Sequence, residues 1–288
     1  MFTDQPVTPT RVETLIDLLR GLSPNKRIDR ETIVTLLQPE GMPDVDPKKR
    51  DSARHTVRAA LELNLIEETE DKLIKLRFKS ADRRNTTRIL LDALDSIVLK
   101  KTNTEPFLAK FYSYLLFLNK DGVLRKSGDD WAVEFERDVY GDQRPPNPFN
   151  ATKLAGLHRW MAYAGLGWYD TNDIFQPNPY ERLQRNLPLI FQGRAMKLSS
   201  EEFMSRLAAE CPELDGGDIF RQTNPQYSAD AKVCTLGLSH ALVELHLDDN
   251  IRLFCPPDSR GWSIEAAEPP SDGLQSGRIA TVELLKTT

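Results

Sequence analysis

The 288-residue sequence has few cysteines and no long apolar run. Its three cysteines, an odd and sparse set, favour reduced thiols in a cytosolic protein over a disulfide framework. The best apolar run, residues 111–118, is far shorter than the roughly 18 residues that a membrane helix needs. The first residues do not combine a basic stretch with an apolar one, as a secretory signal does. The sequence therefore predicts a cytoplasmic protein that does not contact a membrane.

Signatures of catalysis are also missing. The sequence has no Gly-x4-Gly-Lys-Ser/Thr phosphate loop, no Gly-x-Ser-x-Gly elbow and no His-Glu-x-x-His zinc motif. Its four histidines, His55, His158, His240 and His246, have no Cys or Ser partner at the spacing of an activated nucleophile. These absences predict a protein that is not an enzyme, with no catalytic residue and no cofactor.

Metal binding finds no support in the spacing of the potential ligands. Cys234, His240 and His246 are each six residues apart, and Cys255 follows nine residues later. At about 100° per helical residue, the first three would point in three different directions and could not converge on one ion. No Cys-x2-Cys pair is present. We expect no metal site.

A set of residues of the types found in nuclease active sites also gives no support for a metal site. Asp44 followed by Glu70 and Lys72 matches, in residue type, the Asp and Glu-x-Lys of restriction-type nucleases, which hold magnesium on adjacent strands. Here Asp44 falls in a predicted loop and Glu70 in a predicted turn. The pattern therefore does not predict a magnesium site.

Charge is distributed unevenly along the chain. The formal net charge is −5, but residues 1–90 carry +2, residues 91–200 carry +1 and residues 201–288 carry −8. The window 72–88 holds seven basic residues and one acidic residue, a local charge of +6. A basic segment and an acidic end point to two different kinds of partner.

The first segment shows the pattern of three helices and a two-stranded hairpin. The predicted elements are helices over residues 12–22, 30–37 and 48–63 and strands at 65–66 and 73–78. Asp29 is the expected N-cap of the second helix, and Asp46-Pro47 opens the third. This order, with the junction at 60–67, resembles the winged-helix superfamily over roughly residues 8–80. The resemblance implies that the third helix enters a DNA major groove.

Two further copies of this order are predicted downstream. Residues 157–169 end a helix and enter a strand, after helices at 105–118 and 131–140. A third copy begins at the capping-box-like Ser199-Ser200-Glu201-Glu202 and continues through a helix at 237–247 and strands at 251–254 and 262–264. The three helix-to-strand junctions lie near residues 64, 167 and 249.

These patterns predict a mainly α protein with small β-hairpins, an α+β fold built of tandem winged-helix units. The predicted domains are an N-terminal winged helix at 1–84, a connector helix at 85–102, a second winged-helix-like domain at 103–194 and an acidic C-terminal one at 195–288.

Basic residues on the third helix, the hairpin and the segment after it are the candidate nucleic-acid contacts. They are Lys48, Lys49, Arg50, Arg54, His55, Arg58, Lys75, Arg77, Lys79, Arg83 and Arg84. Cations at these places suit phosphate and groove contact. The alternative is a solvated basic face that docks on an acidic neighbour. Because Phe78 is almost the only aromatic residue nearby, double-stranded DNA is a better ligand than stacked single strands.

The third helices of the second and third copies differ from the third helix of the first copy. In the second copy, His158 and Trp160 could form a reading face, but Trp160, Tyr163, Trp168 and Tyr169 are expected to fill a core or a seam between domains. In the third copy, Glu244, Asp248 and Asp249 would repel phosphate. We therefore expect the acidic third to dock a protein partner.

The layout of the whole chain resembles the DpdG family, a component of bacterial islands that insert 7-deazaguanine into DNA and restrict foreign DNA. The stretch LSPNKRIDRET, residues 22–32, carries this comparison. It implies an antiviral role beside helicase, nuclease or transferase subunits. The favoured function is a non-enzymatic nucleic-acid-binding adaptor subunit of a DNA-processing or phage-defence complex. Two alternatives stay open: a transcriptional regulator that binds an operator, and a tandem winged-helix assembly subunit that binds only proteins.

Overall fold

The computed structural model divides the chain into two compact units. The first comprises Met1–Val98 and Phe149–Trp160, and the second comprises Leu99–Pro148 and Met161–Thr288. Both are mainly helical with small antiparallel strand pairs, which confirms the predicted mainly α class with small β-hairpins, whereas the winged-helix units stay a prediction. The domain boundaries at residues 84, 102 and 194 stay predictions. The structure describes residues 7–22, 28–39, 51–78, 84–100, 107–119, 128–142, 148–172, 174–192, 196–256, 258, 260–265 and 277–285.

The first unit contains five helices and a three-stranded sheet among its described residues. In chain order they are α1 (Pro9–Gly21), β1 (Ile28–Asp29), α2 (Arg30–Leu37), α3 (Asp51–Glu62), β2 (Ile66–Glu68), β3 (Leu73–Leu76), α4 (Thr86–Ala93) and α7 (Ala151–Tyr163), which leaves this unit after Trp160. The strand order is β1-β3-β2, and both pairings are antiparallel. The core is formed by α1, α2, α3 and the sheet, with Val12, Ile16, Ile33 and Val57 fully buried.

Local sequence signals explain where these helices begin. Pro9 occupies the first turn of α1, where its fixed φ and missing N–H cost nothing. The Asp29 side chain accepts a hydrogen bond from Thr32 N at 2.9 Å, so the predicted N-cap of α2 is confirmed. The predicted two-strand hairpin acquires a third strand, because β1 pairs with β3 through Ile28 opposite Ile74.

The predicted connector helix changes from α-helical to π-helical geometry along its length. α4 ends at Ala93 and continues as a π-helical turn, Leu94–Val98. The Ser96 hydroxyl donates to the carbonyl oxygen of Asp92, a bond that competes with regular helical bonding. The threonine hydroxyls at the start of α4, Thr86 and Thr87, donate to Asp17 and Glu13 of α1. α4 is thereby fixed on the first unit.

The described part of the second unit contains two short strand pairs and a second three-stranded sheet. Its elements are α5 (Phe107–Leu118), α6 (Gly128–Tyr140), β4 (Gly167–Tyr169), β5 (Phe175–Pro177), α8 (Tyr180–Ile190), β6 (Lys197–Ser199), α9 (Ser200–Glu210), α10 (Asp218–Thr223), α11 (Leu236–Leu247), β7 (Ile251–Phe254), β8 (Trp262–Ser263), β9 (Arg278–Ile279) and β10 (Thr281–Leu284). The large sheet has the order β6-β10-β7, which repeats the β1-β3-β2 order of the first unit.

One predicted strand pairing is wrong. The pattern placed strands at 251–254 and 262–264 around one turn, but β7 pairs with β10 and β8 pairs with β9. The reason is the apolar register of β10, which sets Val282 opposite Leu253, both fully or almost fully buried. The predicted cap at Ser199 is confirmed, because its hydroxyl accepts from Glu202 N at 3.2 Å.

The three predicted junctions share one backbone motif. Asn64, Gly165 and Asp249 follow their helices with φ of 56°, 69° and 54°. At each, the residue with positive φ donates to the carbonyl oxygen three positions back, at 3.0, 3.1 and 3.2 Å. The next residue donates to the carbonyl oxygen five positions back, at 3.0 Å in all three. This is the Schellman ending of a helix.

The return strand forms the same backbone hydrogen bond at each of the three junctions. The residue after the one with positive φ accepts a backbone hydrogen bond from the residue that follows β3, β5 or β10. The donor–acceptor pairs are Arg77 to Leu65 at 3.0 Å, Asn178 to Leu166 at 2.9 Å and Leu285 to Asn250 at 3.0 Å. Three segments without evident sequence identity therefore repeat one helix–strand–return-strand arrangement.

The expectation that the four aromatic residues of the second copy fill a core is partly wrong. Trp160 is fully buried in the first unit, where its indole N–H donates to the carbonyl oxygen of Val7 at 2.7 Å. Trp168 and Tyr169 are 49% and 39% exposed, because β4 belongs to a sheet of only two strands. No helix in the described ranges is long and apolar enough to cross a membrane.

Candidate nucleic-acid interface

α3 separates its apolar and basic side chains onto different faces. Ala53, Val57 and Ala60 are buried in the first unit. The side chains of Arg54 and Arg58 are 53% and 61% exposed. These two arginines lie four residues apart, so they share a side of the helix and present two cations to solvent.

The β2–β3 hairpin adds two further exposed cations. The side chains of Lys75 and Arg77 are 59% and 47% exposed. Both reach Glu67 on the neighbouring strand, with N–O distances of 2.7 Å from Lys75 Nζ and 3.6 Å from Arg77 Nε. A guanidinium N–H of Arg77 also donates to the side-chain oxygen of Asn64, which ties the hairpin to the end of α3. The hydrogen bond from Lys75 lowers the pKa of the Glu67 carboxyl.

The remaining described cations of the predicted set are also ion-paired. Arg54 lies 3.4 Å from Glu31, and Arg58 lies 2.9 Å from Glu62. Exposed pairs of this kind contribute only about 0–1 kcal/mol each, because water solvates the separated charges well. A phosphate can therefore replace these carboxylates as the partner of each cation at little cost.

The contacts of Arg84 differ from those of the cations on α3 and the hairpin. Its guanidinium pairs with Asp92 of α4 at 2.6 Å, and its carbonyl oxygen accepts from Arg20 of α1 at 3.0 Å. His55 is half-buried on α3. Five predicted contact residues lie outside the described residues: Lys48, Lys49, Arg50, Lys79 and Arg83.

Lys72 belongs to the basic window 72–88 that the sequence identifies, whereas Arg30, which also lies near the hairpin, was not predicted as a contact residue. Lys72 lies at the hairpin turn with φ of 60°, where its backbone N–H donates to Thr69 O at 2.9 Å. Arg30, whose guanidinium lies 3.9 Å from Glu68, begins α2 directly after β1. The signal for Arg30 was hidden because a two-residue strand has no readable periodicity.

His158 does not suit the reading role considered for it. It is largely buried in the first unit, and burial lowers its pKa from 6.5 to about 4. At neutral pH the ring is therefore uncharged and cannot attract phosphate as a cation. Within the described ranges, no group of three or more His, Cys, Asp or Glu side chains could hold a metal ion.

The three junctions differ in charge at equivalent positions. In each copy, the position three residues after the residue with positive φ lies on the first strand of the strand pair. The strand register places one residue of the return strand opposite this position. The return-strand residue is a cation only in the first of the three. The pairs are Glu67 with Lys75, Trp168 with Gln176 and Arg252 with Glu283.

The chain matches the family model described as DpdG-like across residues 2–259. No curated protein and no solved structure shows significant similarity to it. The family match covers both units and most of each predicted copy. The chain therefore belongs to the DpdG-like family, which is associated with DNA modification and defence islands.

Proposed function

We propose that the first unit is a winged-helix module that binds the phosphates of duplex DNA, and that the protein is a non-enzymatic adaptor subunit of a DNA-processing or phage-defence complex. The observation that carries this proposal is the set of exposed cations on α3 and on the β2–β3 hairpin. Arg54, Arg58, Lys75 and Arg77 all have side chains that are 47–61% exposed.

The order of elements supports the winged-helix assignment. A short strand precedes α2, the third helix follows, and the hairpin strands add to that first strand in the order β1-β3-β2. A third helix that presents two arginines beside a basic hairpin offers one element to a groove and one to the backbone. Phosphate contacts fix the protein on the duplex without reading sequence.

The charge pattern across the three junctions favours the first unit as the nucleic-acid module. Lys75 on β3 corresponds to Gln176 on β5 and to Glu283 on β10. In the described part of the first hairpin, Phe78 is half-buried, so stacking on unpaired bases has little support. Duplex phosphate contact is the better match to exposed cations without exposed rings.

The acidic third of the chain is proposed to dock a protein partner. At the end of α11, Leu247 is 63% exposed and is followed by the exposed carboxylates of Asp248 and Asp249. An exposed apolar side chain with a charged rim is typical of protein contact surfaces. This surface would connect the DNA module to the larger complex.

A gel-shift measurement with matched charge variants tests the DNA contact. We expect the full chain with Arg54, Arg58, Lys75 and Arg77 all changed to Gln to bind duplex DNA at least about 100-fold more weakly, since each phosphate contact contributes to affinity. The control changes Arg221, Arg252, Arg260 and Arg278 to Gln. These four arginines are exposed on the second unit, and changing them to Gln removes the same number of positive charges.

The control variant is expected to bind DNA as the parent does. Equal losses in the two variants would show that only net charge matters, and would contradict a site on α3 and the β2–β3 hairpin. Parent-like binding by the first variant would contradict it as well.

A further inference from the structure

Asn64, which follows α3, holds one of the hairpin cations through its side chain. The residue is exposed, and its φ of 56° is the left-handed conformation of the Schellman ending. Its side-chain oxygen accepts a hydrogen bond from a guanidinium N–H of Arg77, which directly follows β3. The two residues are 13 positions apart in the chain. The bond therefore joins the end of the third helix to the end of the hairpin.

The main chain at both residues is held by other hydrogen bonds. The backbone N–H of Asn64 donates to the carbonyl oxygen of Leu61 at 3.0 Å, and the backbone N–H of Arg77 donates to that of Leu65, also at 3.0 Å. These bonds belong to the motif that all three junctions share. Because the main chain already sets where the two residues lie, the main effect of the side-chain bond is on the direction of the Arg77 guanidinium.

The other two junctions do not combine an amide side chain with a cation at these two positions. The pair that corresponds to Asn64 and Arg77 is Gly165 with Asn178 in the second copy and Asp249 with Leu285 in the third. A glycine would end α3 at a lower steric cost than asparagine does. The Asn64 side chain therefore supplies something that the ending of the helix does not require, and its contact with Arg77 indicates what that is.

The Arg77 guanidinium keeps donors for a further acceptor in this arrangement. It has five N–H donors, of which Asn64 takes one, and the Glu67 carboxylate lies 3.6 Å from Nε. The Arg77 side chain is 47% exposed, and a guanidinium edge that faces solvent suits a bidentate contact with a phosphate. The amide of Asn64 orients the guanidinium without cancelling its charge, because the amide is neutral.

We propose that Asn64 is a positioning residue for duplex binding, which directs the Arg77 guanidinium toward the phosphate backbone. It acts through Arg77 and does not itself contact DNA. The role rests on the proposed DNA contact of the first unit and adds to it an uncharged residue, which the distribution of charge along the chain does not identify.

A double-mutant cycle in duplex binding by the full chain tests this role. Asn64→Gly keeps a residue that tolerates the left-handed conformation and removes the amide; we expect it to weaken binding about 3- to 10-fold, and Arg77→Gln to weaken it about tenfold. The double variant should bind within about twofold of Arg77→Gln alone, because Asn64 has no cation left to orient. Asn172→Gly, the same change at an exposed residue of the second unit, is the control and should bind as the parent does.

Two further measurements separate positioning from a purely structural role. The melting temperature of Asn64→Gly should equal or exceed that of the parent, because glycine relieves the left-handed conformation. The slope of the logarithm of the association constant against the logarithm of salt concentration should nevertheless become shallower, by up to about one unit. In the absence of DNA, NMR follows rotation of the Arg77 guanidinium, which should be slower in the parent than in Asn64→Gly.

The outcomes distinguish failure of this role from failure of the proposed function. A parent that does not bind duplex DNA would overturn both. If the parent binds and Arg77→Gln weakens binding while Asn64→Gly does not, only the role of Asn64 is overturned. The same holds if the losses of the two single variants add in the double variant, or if the Arg77 guanidinium rotates equally fast in the parent and in Asn64→Gly. Parent-like binding by Arg77→Gln would overturn the role of Asn64 as well, and leaves the other cations of the first unit as the contact.

Discussion

At the scale of single residues, the second unit is organised around buried charge. Arg182 and Glu213 are 1% and 0% exposed and form an ion pair with 2.9 Å between Nε and Oε1. The Arg182 guanidinium also donates to the carbonyl oxygen of Glu210 at 3.3 Å. The pair thus joins α8 to the segment that follows α9. A buried pair of this kind fixes one arrangement of its elements, because either charge alone would be buried without compensation.

Breaking this pair should destabilise the protein strongly. We expect Glu213→Gln to lower the free energy of unfolding by about 3–5 kcal/mol, measured by urea denaturation, because Arg182 would keep its buried charge. The double variant Arg182→Met with Glu213→Leu should recover most of that loss. Arg221→Gln removes one member of an exposed pair with Asp218 and should cost less than about 1 kcal/mol. A Glu213→Gln variant as stable as Arg221→Gln would contradict this account.

Asp215 gives the stability of the protein a pH dependence. Burial raises its pKa from 3.8 to about 6, although hydrogen bonds from the Thr235 backbone and hydroxyl oppose the shift. Between these two values the folded protein holds a proton that the unfolded chain has released. The contribution of Asp215 to stability is therefore largest below about pH 4 and is lost as pH rises through about 6.

The variant Asp215→Asn isolates this effect, because the amide keeps an acceptor for the Thr235 N–H and cannot ionise. We expect the free energy of unfolding of the parent to fall, relative to the variant, by up to about 3 kcal/mol between pH 4 and pH 7. Urea denaturation at several pH values measures the difference. Parallel pH profiles for parent and variant would show that Asp215 is not desolvated in the folded state.

At the scale of elements, the repeated Schellman junction is the main organising feature. Three different residue types occupy the left-handed position, namely Asn64, Gly165 and Asp249. Only glycine adopts this conformation without a steric cost, and Asn and Asp tolerate it better than other residues do. The junction at Gly165 has a further reason for glycine, because a Cβ there would lie 2.4 Å from Cβ of Glu181.

Two substitutions at equivalent junctions should have opposite effects. Gly165→Ala introduces a Cβ at φ of 69° against α8, so we expect a loss of more than about 2 kcal/mol in the free energy of unfolding. Asp249→Gly relieves the left-handed conformation of an exposed residue and should gain about 0.5–1 kcal/mol. Thermal and urea denaturation measure both. If the Gly165→Ala variant were more stable than the Asp249→Gly variant, the account of a shared junction would be refuted.

The sequence predicts elements well where the signal is local. The caps at Asp29 and Ser199 and the helix-to-strand junctions are all set by neighbouring residues. β10 escapes prediction because its partner β7 lies far away in the chain, and the pairing depends on a core that periodicity does not describe. Trp168 is exposed for a similar reason, since the number of strands in its sheet is a tertiary property.

At the scale of the whole molecule, the distribution of charge matters more than its sum. The chain is acidic overall, yet the window 72–88 carries +6 and residues 201–288 carry −8. The equivalent hairpin positions show the same division, with Lys75 in the first unit and Glu283 in the second. The sequence alone identifies the basic residues, whereas the carboxylate that pairs with each of them depends on folded geometry. These pairs make the basic surface nearly neutral at short range.

The salt dependence of duplex binding is the most direct test of the central claim, that the cations of α3 and the β2–β3 hairpin contact phosphate. We predict that the logarithm of the association constant falls steeply with the logarithm of salt concentration for the parent. Removing Arg54, Arg58, Lys75 and Arg77 together should make that slope shallower by about 3–4, close to one unit for each lost phosphate contact. An unchanged slope, or an equal change on removing the four control arginines of the second unit, would contradict the account.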